Sequence, residues 1–188
     1  MVEARLYGRS VFLALVLVVA TASLGQAQTP GETLRVRPLV KDGQVLITFA
    51  LNGGLTDEMK AVVQSGLRTV FTYTVELKTK VPAWVDRTLG TAVVSISVDY
   101  DNLTRRHTVS QALNGRVEHS AVVEDPAEVA QMVTNFDRLA LFNTKLLDPN
   151  REYYVLVRAD ARPKPSSSSL WPWSGTASGL ARFTFIPN

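Results

Sequence analysis

The chain has 188 residues, a formal net charge of +3, 46% hydrophobic residues and no cysteine. The near-neutral charge balance argues against a nucleic-acid partner, because such a partner needs a concentrated basic surface. The absence of cysteine excludes disulfides, thiol catalysis and thiolate metal sites. The composition therefore predicts a globular domain that is held together by core packing alone.

The first 27 residues have the pattern of a secretory signal peptide. Arg5 and Arg9 precede the apolar run 11–20, and small residues lead to a predicted cleavage site after Ala27. An uncleaved anchor is the alternative, but the strongly apolar run is about ten residues long, against the roughly 20 that a bilayer helix needs. We therefore expect residues 28–188 to form a single exported domain of a bacterial envelope, periplasmic or secreted, without stable membrane insertion.

Alternating apolar and polar residues dominate the remainder of the chain. In segment 68–80, Phe71, Tyr73, Val75 and Leu77 fall on one face, as in a half-buried antiparallel strand. The same period of two predicts further strands at 34–40, 44–51, 91–101, 104–113, 116–123, 138–143, 152–159 and 180–186.

Two helices are predicted between these strands. Thr56 is placed to cap the first helix, which would end at Gly66. Asp125 and Pro126 supply a cap and a first-turn proline for the second. Apolar residues then follow at helical spacing: Val129, Met132, Val133 and Phe136.

The order of elements predicts the fold class. Asn114-Gly115 lies between two strand-like runs and indicates a tight hairpin, since both residues tolerate positive φ. Many strands with short turns and no βαβ alternation predict a mainly β fold, an antiparallel immunoglobulin-like sandwich with two short inserted helices. A closed antiparallel barrel has the same periodicity and is the alternative.

Segment 162–179 is rich in Pro, Ser and Gly and is predicted to be a long loop. Trp171 and Trp173 lie in it beside stiffening prolines, which is typical of a preorganised apolar contact surface. Alternatively, both indoles fold back and seal the edge of the sandwich. Trp84 is a further binding candidate, although we expect it to pack on the core.

Few residues indicate chemistry. His107 and His119, the only two histidines, are expected on neighbouring strands as ordinary surface side chains. A metal site would need a third ligand such as Glu118 or Asp99, yet adjacent residues on a strand point to opposite faces. No metal, no cofactor and no catalytic residue is therefore predicted, and the usual catalytic motifs do not occur.

Five segments occur in an order that is shared with a known family. They are Leu51-Asn52-Gly53-Gly54-Leu55, strand 71–77, Trp84-Val85-Asp86-Arg87, segment 100–106 and the late Pro-rich loop. In this order they resemble the bacterial exported family called domain of unknown function 4390, over about Leu34 to Phe185. The resemblance implies that Trp84, Asp86, Tyr100 and Leu103 are recurrent positions, and that His107 stands where relatives usually carry a tyrosine. It implies no activity, but neighbouring genes for envelope-sensing kinases make a sensor kinase a candidate partner.

The sequence thus predicts an exported, soluble, non-catalytic module that binds another envelope protein. The candidate binding residues are Trp171, Trp173 and Trp84. A carrier of a small apolar ligand is the alternative, which a closed barrel with a cavity would favour. An unrecognised enzyme ranks third.

Overall fold

A computed structural model describes residues 34–52, 55, 57–163 and 177–187. Within these ranges the strands are β1 (Leu34–Lys41), β2 (Gln44–Leu51), β3 (Thr69–Thr79), β4 (Arg87–Asp101), β5 (Arg106–Leu113), β6 (Arg116–Val123), β7 (Asn135–Asn143), β8 (Arg151–Pro163) and β9 (Ala177–Phe185). The helices are α1 (Asp57–Gln64) and α2 (Pro126–Thr134), and a short 3₁₀ turn covers Thr144–Leu146. The predicted signal peptide, residues 1–27, lies outside the described residues.

The strands form two antiparallel sheets that share one core. One sheet has the order β1-β2-β7, and the other has the order β6-β5-β4-β3-β8-β9. Phe49 and Phe136 of the first sheet stack with ring centroids 4.4 Å apart, and Tyr73 of the second contacts them at 5.3 and 4.8 Å. The fold is therefore the predicted sandwich, and the described strands do not close into the barrel that was its alternative.

The predicted strand faces are confirmed most clearly in β3 and β4. Phe71, Tyr73, Val75 and Leu77 are all buried, while the residues between them are half-buried. The antiparallel register brings Tyr73 opposite Val94 in the centre of the larger sheet. Burial of alternate apolar residues on the inner face is the main stabilising contribution to such a sandwich.

The second helix is confirmed with one correction. Asp125 caps α2, because its Oδ1 accepts a hydrogen bond from the main-chain N–H of Ala127 at 2.8 Å. Val129 and Val133 are buried as predicted. Phe136, however, is not on the helix: α2 ends at Thr134 and Phe136 enters the core from β7. Periodicity alone does not distinguish a residue on a helix from one on the strand that follows, because both can reach the same core.

The turn between β5 and β6 is the predicted hairpin. Asn114 and Gly115 have φ values of 50° and 83°. Asn114 also binds the neighbouring strand, since its Oδ1 accepts from the Val93 N–H at 2.9 Å and its own N–H donates to the Val93 carbonyl oxygen at 2.8 Å. The hairpin is thereby fixed to β4.

The predicted loop 162–179 is shorter than expected at both ends. The main chain of β8 continues to Pro163, and β9 begins at Ala177.

In the described part of the chain, no helix is long and apolar enough to cross a membrane.

Candidate functional site

The turn between β3 and β4, residues 80–86, presents two apolar side chains to solvent. We call it the Trp84 turn. Trp84 is 80% exposed and Val85 is 79% exposed. The prediction that Trp84 packs on the core is therefore wrong. The turn lies beyond the last residue of β3, where side chains no longer alternate between the core and the outer face of the sheet.

Hydrogen bonds anchor the Trp84 turn at its base. The N–H of Trp84 donates to the carbonyl oxygen of Val81 at 3.2 Å, which closes a tight turn through Ala83 at φ 59°. The hydroxyl of Tyr154 on β8 donates to Asp86 Oδ2 at 2.5 Å. The exposed indole of Trp84 thus belongs to a turn that is hydrogen-bonded to the larger sheet.

Tyr154 is a buried residue on the side of β8 opposite to its core residues. Tyr153 and Val155 face the core, whereas Tyr154 lies on the other side and is 8% exposed. Burial, together with the hydrogen bond and negative charge of Asp86, raises the pKa of Tyr154 to about 12. Because the phenol stays protonated at neutral pH, it remains a donor to Asp86.

The other two predicted binding residues, Trp171 and Trp173, lie outside the described residues. Whether they adjoin Trp84 therefore stays a prediction. Of the three predicted binding residues, Trp84 is the one whose surroundings the structure describes.

A second candidate site, which sequence reasoning missed, is a cleft of about 380 Å³ beside the two helices. We call it the helix cleft. Its apolar walls come from Leu55, Val63, Pro126, Ala127, Val129 and Ala130. The polar residues of its lining, within the described part of the chain, are Lys60, Gln64 and His107.

His107 is the buried polar residue of the helix cleft. It is 2% exposed, and neither Nδ1 nor Nε2 has a hydrogen-bond partner. Its ring lies 4.6 Å from that of Tyr100 on β4, a contact that leaves both nitrogens unpaired. The prediction of a surface side chain is wrong because His107 shares the inner face of β5 with the buried Val109. His107 and Val109 are two residues apart and therefore face the same side of the strand. This spacing was the signal in the sequence that His107 would be buried.

The two histidines do not form a pair. His107 lies opposite Val123 in the β5–β6 ladder, whereas His119 lies opposite Gln111 and is exposed. Residues 34–52, 55, 57–163 and 177–187 contain no group of three or more His, Asp or Glu side chains placed to hold a metal ion.

The remaining residues of the resemblance lie at the far end of β4 from the Trp84 turn. Leu103 is 95% exposed in the turn between β4 and β5. Asp101 holds this turn, since its carboxylate accepts from the Thr104 hydroxyl at 2.8 Å and from the Leu103 N–H at 2.8 Å. These hydrogen bonds lower the pKa of Asp101. Trp84 and Leu103 are thus exposed apolar side chains at opposite ends of the larger sheet.

The fold and both candidate sites define a mainly β sandwich with two short helices, an exposed aromatic turn and a separate apolar cleft. The chain belongs to the family described as domain of unknown function (DUF4390), whose sequence model matches residues 32–168. The predicted family is thereby confirmed. Neither the curated proteins nor the solved structures include a significant match to the chain.

Proposed function

We propose that this protein is an exported, non-catalytic module of the bacterial cell envelope that binds another protein through the Trp84 turn. The observation that carries the proposal is the exposure of Trp84 and Val85 on an anchored turn. Tryptophan is enriched among the residues that dominate binding energy at protein interfaces. Because the turn that carries this apolar pair is anchored before binding, little main chain has to be ordered when a partner covers it.

The strands next to the turn carry charged residues on the outer face of the larger sheet. Arg158 Nη1 on β8 is 2.8 Å from Glu76 Oε2 on β3, and Lys78 Nζ is 3.8 Å from the same oxygen. The Glu76 and Lys78 side chains are each 18% exposed, so Arg158 is the most accessible charge of the three. Mixed charges around an apolar centre are typical of protein interfaces. An envelope sensor kinase remains the candidate partner that the family resemblance implies.

Export is the second part of the proposal, and it rests on the basic and apolar pattern of residues 1–27. Cell fractionation followed by N-terminal sequencing tests it directly. Recovery of a chain that begins at Gln28 from the periplasm or medium would support export. A cytoplasmic chain that retains Met1 would refute it.

In-cell photocrosslinking tests the contact surface. A photoreactive residue replaces Trp84 in one variant and Leu103 in the control, because both positions are exposed but lie at opposite ends of β4. We expect one dominant protein adduct from position 84 and not from position 103. Further variants at positions 171 and 173 determine whether the predicted loop contributes to the same contact.

Affinity measurement with the captured protein, once purified, completes the test. Trp84→Ala should weaken binding by about 30-fold or more, as truncation of an interface hot spot costs about 2 kcal/mol or more. Leu103→Ala should leave the affinity within about twofold. Equal adducts from both positions, or an unchanged affinity for Trp84→Ala, would refute the proposed surface. Both variants should remain folded, since neither side chain is in the core.

A further inference from the structure

We propose that the helix cleft binds a small monocarboxylic acid with an apolar tail, whose carboxyl group is hydrogen-bonded to the imidazole of His107. This site lies near the Asp101 end of β4 and is separate from the Trp84 turn at the Arg87 end. The proposal therefore does not depend on the proposed protein-binding function.

The size and walls of the cleft fit a small amphiphile. Its volume of about 380 Å³ is within the range of roughly 300–1,000 Å³ for small-molecule sites. Leu55, Val63 and Val129 are buried apolar residues that form part of its lining. An apolar tail along these side chains would remove hydrocarbon surface from water on both partners.

The unpaired ring nitrogens of His107 favour a ligand that places a polar group inside the cleft. Buried side-chain nitrogens without a hydrogen-bond partner are rare in folded proteins, and here both nitrogens of one ring are unpaired. An imidazole carries at least one N–H donor in either protonation state. A carboxylate oxygen of the ligand would accept from that N–H and supply the missing partner.

The charge of the lining favours an acid over a neutral or basic ligand. Among the described residues that line the cleft, Lys60 and His107 are basic and none is acidic. The Lys60 ammonium is paired with Asp57 at 2.9 Å, but both side chains are more than half exposed. Such an exposed pair is weak, so a ligand carboxylate can compete with Asp57 for the Lys60 ammonium.

Imidazole NMR tests the proposal on the full 188-residue chain. Octanoate is titrated while the two histidine Cε1–H signals are followed, after assignment with a His119→Gln variant. Since the chain has two histidines and His119 is exposed, its signal is an internal control. We expect a saturable shift of the His107 signal and none for His119. Octan-1-ol, which has the same tail but no acid group, should bind at least tenfold more weakly.

Two variants locate the binding. Ala130→Trp fills the cleft, whereas Gln131→Trp places the same side chain at the next, exposed position of α2, outside the cleft. We expect at least a tenfold loss of octanoate affinity in the first and less than a twofold change in the second. His107→Phe keeps an aromatic ring but removes both nitrogens, and calorimetry should show at least a tenfold loss.

Three results would overturn the proposal. They are a His107 signal that does not move, equal affinity for octanoate and octan-1-ol, and equal octanoate binding by the two tryptophan variants. Should Ala130→Trp fail to fold, His107→Phe decides the question, because octanoate binding that is unchanged in that variant also contradicts the role of the imidazole.

Discussion

The hydroxyl of Tyr73 donates a 2.6 Å hydrogen bond to the main-chain carbonyl oxygen of Val133. This bond joins the middle of β3 to the last turn of α2 inside the core, where both residues are buried. The carbonyl groups at the end of a helix have no partner within that helix. Tyr73 thus supplies a partner to the helix that forms one wall of the cleft.

Tyr73→Phe should lower the free energy of unfolding by about 1–3 kcal/mol, because it leaves a buried carbonyl oxygen without its donor. Burial raises the pKa of Tyr73, so the phenol is a donor throughout the neutral range. Urea unfolding measures the change. Tyr100→Phe, at a half-buried position on β4, is the control and should change stability by no more than about 0.5 kcal/mol. Equal effects of the two variants would contradict a special role for the Tyr73 hydroxyl.

Tyr154 should make the protein sensitive to alkali. Its pKa rises from 10.0 to about 12 on folding, so its contribution is complete below about pH 10 and is lost as the pH approaches 12. In urea unfolding at a series of pH values, the stability of wild type relative to Tyr154→Phe should fall in this window by at most about 1.4 kcal/mol per pH unit.

Asp86→Asn separates the causes of that shift. It removes the carboxylate charge but leaves Tyr154 buried, and burial is the largest single cause of the raised pKa. We therefore expect the stability of Asp86→Asn relative to the double variant Asp86→Asn/Tyr154→Phe to fall above pH 10 as well, but over a narrower pH range than in wild type. Parallel stability curves for wild type and Tyr154→Phe between pH 9 and 12 would show that Tyr154 does not titrate as stated.

Gly179 allows β9 to approach β1. A Cβ atom at this position would clash with the carbonyl oxygen of Leu34 and would lie 2.8 Å from the Cβ of Leu34. Gly179→Ala should therefore destabilise the fold by about 1–3 kcal/mol, as overpacking does, and lower the hydrogen-exchange protection of β1 and β9.

Gly115→Ala is the matched control for this steric effect. A Cβ atom there would meet no atom within 4 Å, but φ is +83°. The expected cost is about 1–2 kcal/mol of backbone strain, without loss of protection in β1. Loss of β1 protection in Gly115→Ala, or its retention in Gly179→Ala, would contradict the close approach at Leu34.

Asp125→Ala should destabilise the protein by about 1 kcal/mol, because it removes the cap that accepts from the Ala127 N–H. Asp125→Asn keeps a capping oxygen and should be nearly neutral. Thermal unfolding distinguishes the two. An equal loss in both variants would attribute the effect to the charge of Asp125 rather than to its cap.

Much of the fold was predictable because its signals are local. The alternation of Phe71, Tyr73, Val75 and Leu77 reports which face of β3 is apolar, and this is independent of where the partner strands come from. The positive φ values at Asn114-Gly115 and the cap at Asp125 likewise depend on neighbours in the chain. The sequence by itself therefore determined the strands, the hairpin, the second helix and the mainly β, antiparallel class, whereas the tertiary structure decided between the sandwich and the barrel.

The surroundings of the site residues depended on tertiary contacts. Trp84 is as apolar in the sequence as any core residue, and its exposure follows from its place beyond the end of β3. The helix cleft combines His107 of β5 with Val63 of α1 and Val129 of α2, which are far apart in the chain. Local periodicity reports which face of an element is apolar but not which elements cover it. Only the packing of sheets and helices decided that a histidine would be buried without a partner and a tryptophan left in solvent.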